Sequence, residues 1–159
     1  MVDTAETEAF LREMSARQLE AEHALCRGDA EARTKTWSQA DPVTLFGAAV
    51  PLRRGWEELD ETFRWLADRF SAKHLRDYEF ELVTAGASGD LAYTVGFEHK
   101  TFVAGGMRET YTLRVTHVYR REAGEWRIVH RHGDYPPSGE DVSTGTGERP
   151  AHESSPEAV

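Results

Sequence analysis

Apolar residues recur along this chain in two periods, and the switch between them divides it. Over 4–27, Phe10, Met14, Ala21 and Leu25 return near every 3.6 residues while Glu and Arg fill the other positions, which predicts an amphipathic helix. Gly28 suits the left-handed position past its end, and Asp29 suits the cap of a short second helix running to about Trp37. Asp41-Pro42 breaks that pattern, Val43–Phe46 reads as a short strand, and 47–54 reads as a loop. Gly55 then opens a third helix, Trp56–Phe70, with Trp56, Leu59, Phe63, Leu66 and Phe70 as its apolar stripe and Trp65 off it.

From Tyr78 the period becomes two. Tyr78, Phe80 and Leu82 alternate with Glu79 and Glu81, and four strands follow: Tyr78–Thr84, Leu91–Phe102, Arg108–Arg121 and a closing strand through Trp126–His132. Turns are marked by Ser88-Gly89-Asp90, Ala104-Gly105-Gly106 and Glu122-Ala123-Gly124, and Pro136-Pro137 ends the last strand. A sheet of this length must bury one face, and only the helices of the first half can cover it. The expected fold is α+β: three N-terminal helices packed on a curled antiparallel sheet, forming a cone-shaped half-barrel with a pocket inside. The cone domain is placed at 1–135 and a disordered acidic tail at 136–159, where Ser, Thr, Gly, Glu and Pro offer almost nothing to bury.

Composition narrows the function classes. At 159 residues with 39% apolar content, one domain with a full core is expected. The net charge is −9, and residues 134–159 carry six of the acids against a single arginine. That balance argues against nucleic acid, which requires a basic face. No run approaches the ~18 apolar residues that span a bilayer, so no membrane partner is expected. The acidic start Met1–Glu6 does not resemble a signal peptide, and the lone Cys26 rules out an internal disulfide. A cytoplasmic location is the expectation. Phosphate-loop, dinucleotide-binding, nucleophile-elbow and Cys-x-x-Cys motifs are missing, and no cofactor is expected.

Register determines which side chains share the pocket. If the Ala104–Gly106 hairpin is centred on Gly105, Tyr93 lies opposite His117, Val95 opposite Val115 and Phe97 opposite Leu113. This odd-numbered face is the more apolar, so it is expected to look inward, with Glu98 and Lys100 outside. In the last hairpin, a three-residue loop with Gly124 left-handed turns Val129 and Arg131 inward and leaves Trp126, Ile128, His130 and His132 outside. A two-residue loop, Ala123-Gly124, exchanges the two sets. We adopt the first.

The element order, the Gly28-Asp29 join, Gly55 opening the third helix, and Val118-Tyr119-Arg120-Arg121-Glu122-Ala123-Gly124-Glu125-Trp126 followed by Ile128-Val129-His130-Arg131-His132 resemble the nuclear-transport-factor-two-like superfamily. That superfamily holds SnoaL-like cyclases, ketosteroid isomerases, scytalone dehydratase and the association domain of calcium/calmodulin-dependent kinase II. The resemblance covers about 7–135 and implies the cone fold and a homodimer through the outer sheet face, where Trp126 and Ile128 would otherwise be exposed. It says little of chemistry, because the fold hosts many activities. By this resemblance the isomerase base position is Phe46 and the strand oxyanion position is His117, and the first helix offers no tyrosine. The isomerase mechanism is therefore not expected. The kinase-domain position matching His117 carries an arginine that faces an anion-binding pocket.

The catalytic candidates His117, Tyr93 and Asp41 and the ligand anchor Arg131 stand beside their structural alternatives. His117 is an acid–base candidate with Tyr93 as partner, or a core histidine bonded to Tyr93 or backbone. Asp41 is a general base, or a turn residue before Pro42. Arg131, a ligand-binding candidate, anchors a carboxylate or enolate, or forms a salt bridge to Asp41 or to a rim carboxylate. Trp37, Phe46, Trp56 and Phe63 line the pocket or form its core, as do Val95, Phe97, Leu113, Val115 and Val129. His130, His132 and Asp134 alternate on one strand, but they span ~13 Å at ~3.3 Å per residue, too far for one ion, so no metal is expected. Two function classes follow. One is a cofactor-independent isomerase- or cyclase-like enzyme on a small carbonyl compound. The other is a non-catalytic binding or association domain. The second uses the same pocket for a ligand, or only the sheet for assembly; where there is a ligand, it is a small apolar or aromatic molecule, anionic where Arg131 meets it.

Overall fold

The computed structural model describes residues 4–138. Three helices, α1 (Thr4–Cys26), α2 (Glu31–Thr36) and α3 (Trp56–Ser71), accompany six strands: β1 (Thr44–Phe46), β2 (Arg53–Arg54), β3 (His74–Ser88), β4 (Leu91–Ala104), β5 (Met107–Glu122) and β6 (Glu125–Asp134). The strands form one curled, unclosed sheet in the order β2-β1-β6-β5-β4-β3. All pairings are antiparallel except β1 with β6. The predicted α+β cone is the fold observed. Residues 139–159 of the expected acidic tail lie outside the described residues.

Local chemistry sets the helix boundaries. Gly28 takes φ +95° after α1, and Asp29 Oδ1 accepts from the Glu31 N–H at 2.9 Å to start α2. The α3 stripe buries Leu59, Phe63 and Ala67, while Trp65 stays exposed off it. The main core joins the helices to β5 and β6: Phe10 meets Tyr119 and Trp126 edge-on at 4.9 and 5.2 Å, and Trp37 meets Phe63 at 5.2 Å.

Register departs from expectation in both long hairpins. The β4–β5 turn is the two-residue Gly105-Gly106, with both φ positive and Ala104 paired to Met107. Such turns match the strand twist only when both central residues are left-handed, and two glycines adopt that at no steric cost. Pairing therefore shifts by one: Thr94 opposes His117 and Tyr93 opposes Val118. Even positions of β4 face inward, bringing Glu98 and Lys100 into the core, where they are buried. Val95 and Phe97 lie on the outer face, half-buried, with Phe97 stacked on His99.

The β5–β6 turn is the two-residue Ala123-Gly124, again with both φ positive. Trp126 and Ile128 thus point inward and are buried. A bulge at Val129 then resets the parity, so His117 opposes Arg131 and Thr116 opposes His132. Arg131 still faces inward, and His130 and His132 outward, flanking the Phe46 ring at 5.5 and 5.4 Å. The expected exposure of Trp126 and Ile128 is corrected, and with it the dimer argument that rested on them.

Candidate functional site

The inner sheet face holds a cluster of buried charges, all at least nine-tenths buried: Glu22 and Arg33 from α1 and α2, Glu98 and Lys100 from β4, and Arg131 from β6. Glu98 is the hub. Arg131 Nη2 donates to Glu98 Oε1 at 3.0 Å and Arg131 Nη1 to Oε2 at 3.2 Å, a bidentate fork. Lys100 Nζ lies 2.7 Å from Glu98 Oε1, and Tyr78 Oη donates to Oε2 at 3.1 Å. Glu22 sits 3.5 Å from Arg33 and 3.8 Å from Lys100, and accepts from Gln18 Nε2 at 3.2 Å. Such pairing is what makes buried charge tolerable.

Burial opposes ionisation of Glu98, but Arg131 and Lys100 outweigh it and hold the carboxyl well below its usual range. Burial likewise opposes the Lys100 ammonium, and Glu98 overcomes it, keeping Lys100 charged. Three cations thus meet two carboxylates, and the cluster carries an unmatched positive charge.

That excess borders a cavity of about 440 Å³ between α3, the β1–β2 connection and the sheet. Lys100, Arg131 and Arg33 form its buried charged wall, with Asp68 and Arg69 exposed at its edge; Val50, Leu66, Phe70, Phe102 and Leu113 form its apolar wall. Lys73, bonded to Glu109 and to Tyr111 Oη, stands at the rim. The arrangement can desolvate an apolar body and neutralise an anionic group on it.

His117 lies on the other side of the ion pairs. Arg131 Nη1 is 3.1 Å from His117 Nε2, and Thr94 Oγ1 is 3.5 Å from His117 Nδ1. Burial first, then the Arg131 charge, push the imidazole well below its ordinary pKa, so it is neutral. Its Nε2 lone pair is taken up by Arg131, which leaves no free base nitrogen.

The other candidates scatter. Tyr93 is 37% exposed on the outer face against Gly86, so the expected Tyr93–His117 pair does not form. Asp41 is exposed at a cis Asp41-Pro42 turn beside Gly55, away from the cavity. Phe46 is 41% exposed on the outer face. Trp37 and Phe63 are sealed in the core, with Trp56 packed against it. Leu113 does line the cavity, Val115 is buried on the same face, and Val129 packs against the core from its bulge. Glu98, Lys100, Glu22 and Arg33 were not anticipated. The Gly105-Gly106 pair was the available signal for Glu98 and Lys100, since it fixes the parity of β4.

A family model described as a SnoaL-like domain matches residues 19–137. No curated protein matches the chain. Among solved structures, the fold is similar to a dehydratase candidate of the NTF2-like family from Streptomyces avermitilis (17% identity, 82% of this chain and 99% of that one, TM-score 0.66). It is also similar to a ketosteroid isomerase-like protein from Erwinia carotovora atroseptica (19% identity, 79% and 95%, TM-score 0.62). A nuclear transport factor 2-like superfamily protein from Salmonella enterica is similar at 19% identity, covering 83% and 98%, with a TM-score of 0.59. At these identities the likeness concerns the fold.

Proposed function

Because the chain belongs to the SnoaL-like domain family, we propose that it binds a small, largely apolar or aromatic molecule bearing a carboxylate or enolate in the cavity beside α3. The observation that carries this reading is the pair Lys100 and Arg131, both buried and both bordering an apolar-walled cavity, within a cluster of three cations and two carboxylates. An anionic ligand group supplies the missing negative charge. It enters a low-dielectric wall where a fixed charge acts more strongly than in water.

The same pair could stabilise negative charge developing on a substrate oxygen, which is the contribution a cofactor-independent isomerase or cyclase would need. The acid–base role expected of His117 is not supported, since its lone pair accepts from Arg131. Binding is therefore the primary reading and catalysis the secondary one. Calorimetric titration of the full chain with 2-naphthoate tests it. Saturable binding is expected, weakened at least tenfold by Lys100→Met, and no binding of aromatic carboxylates at millimolar concentration would sink the reading.

Association of two copies through the outer sheet face is a second reading. It is favoured by Phe46, half-exposed between His130 and His132, and by Val95 and Phe97, which lie on the same face but across β6 and β5 from it. Sedimentation velocity of wild type and Phe46→Glu tests it: a dimer lost on substitution supports the reading, and a wild-type monomer at all concentrations removes it. Among the described residues, no helix is long and apolar enough to cross a membrane.

A further inference from the structure

A second cavity, of about 320 Å³, lies between α1 and the β3–β5 part of the sheet and shares no lining residue with the first. The ion pairs divide the two. Lys100 and Arg131 border the first cavity, while Tyr78, which donates to Glu98, and His117, which accepts from Arg131, border the second. The electrostatic character changes across that partition. Apart from Glu79 at the exposed rim, the second cavity is lined by uncharged groups, because His117 is held neutral. Leu11, Met14, Leu19, Phe80 and Leu82 supply its apolar surface.

Two polar groups at this cavity are left incompletely bonded. Gln18 is 7% exposed, and its Oε1 has no hydrogen-bond partner among the described residues. The orientation of that amide is fixed chemically: Nε2 must face the Glu22 carboxylate, which can only accept, so Oε1 is the free end. An unpaired buried acceptor costs free energy, so a donor that enters the cavity is favoured. The second group is His117 Nδ1. With Nε2 accepting from Arg131, Nδ1 carries the proton, and its partner among the described residues, Thr94 Oγ1, is 3.5 Å away, long for an N–H···O bond.

The space itself is built by a close approach. A Cβ on Gly96 would lie 2.4 Å from the Glu81 carbonyl oxygen and 2.7 Å from the Phe80 ring. Only glycine lets Phe80 lie against β4 there and form a flat wall near His117, 6.2 Å between rings.

We infer that this second cavity is a binding site for an uncharged, largely apolar molecule bearing a hydroxyl group, which donates to Gln18 Oε1. The volume suits a one- or two-ring compound, at the small end of ligand sites. A carboxylate is disfavoured there, because the cavity has no cation on its wall to pair with it. One chain thus presents two sites of opposite preference back to back.

Isotope-labelled full-length chain titrated with 2-naphthol, and separately with 2-naphthoate, tests this by NMR. With 2-naphthol, saturable shifts are expected at the Gln18 side-chain amide and at the Leu82 and Thr94 backbone amides. Gln18→Leu should weaken this binding at least fivefold. Ser15→Trp, an exposed rim substitution that spares the interior, should weaken it as much while leaving any 2-naphthoate shifts at Leu113 and Gly133 unchanged. The inference is overturned if 2-naphthol moves none of these resonances, if both variants bind it as wild type does, or if 2-naphthoate binds the second cavity equally well. Failure of 2-naphthoate to bind anywhere would count against the first site alone.

Discussion

Arg131 Nη1 lies 3.1 Å from His117 Nε2, and since a guanidinium can only donate, the imidazole nitrogen must accept. This contact sets the tautomer of His117 and ties the histidine to Glu98 through the same arginine, while burial, and then the arginine's charge, keep the ring neutral. The residue with the most obvious catalytic chemistry in the sequence is therefore a structural acceptor within an ion-pair network.

The network should respond asymmetrically to substitution. Arg131→Met leaves Glu98 buried with only Lys100 as its cationic partner, and a loss of about 3–5 kcal/mol is expected. Replacing both partners, Glu98→Leu with Arg131→Met, leaves no broken half of this pair, while Lys100 keeps Glu22 at 3.8 Å, and should cost clearly less than the sum of the single changes. Urea denaturation of the two single variants and the double variant measures this; strict additivity would contradict the pairing.

Stability should fall on mild acidification. His117 has a folded pKa well below its unfolded value of about 6.5, so below that pH the unfolded chain takes a proton that the native chain refuses. The contribution is whole above pH ~6.5 and declines by up to ~1.4 kcal/mol per pH unit as pH drops toward the folded pKa. His130 shifts in the same direction, from burial and then His132. His117→Asn should therefore remove much of the slope between pH 6.5 and 5, read from denaturation midpoints, without flattening it entirely. Glu98 adds a separate loss at lower pH, once the unfolded carboxyl begins to protonate.

Gly96→Ala should cost roughly 1–3 kcal/mol, because the β3 backbone at Glu81 has no room to yield to a methyl group. Gly89→Ala is the control: nothing stands within 4 Å of its Cβ position, and its φ of +59° adds only local strain. Thermal denaturation of both variants should show the larger drop at Gly96.

Cys26 is fully buried, and burial pushes its thiol up to about 11. It should not react with Ellman's reagent in the native chain and should react fully in denaturant. Rapid native labelling would show that the α1 end opens more readily than its packing implies.

The local elements were legible in the sequence because each rests on short-range chemistry. The α3 stripe, the Gly28 and Asp29 boundary and the glycine-marked turns are decided within a few residues, and the structure places them where the periodicity does. The outward direction of His130 and His132 was also expected, although the route differed: a two-residue turn and a bulge at Val129 combine to the same parity that a three-residue loop would give. Two one-residue shifts in the same direction restored the inward parity at Arg131, with a new partner, but not at Trp126 and Ile128, which lie before the bulge.

What the sequence alone determined is the α+β order of elements, the helical face and the turn positions, since propensity and period are local properties. What only the tertiary structure decided is which side of β4 is the inside. Its odd positions are the more apolar, so pattern favoured burying Val95 and Phe97, yet the Gly105-Gly106 turn buries Glu98 and Lys100 instead. That choice is sustained by Arg131 and Glu22, which reach Glu98 and Lys100 from other elements. A charge becomes a core residue only when partners distant in sequence arrive to pair it, and no local pattern records their arrival.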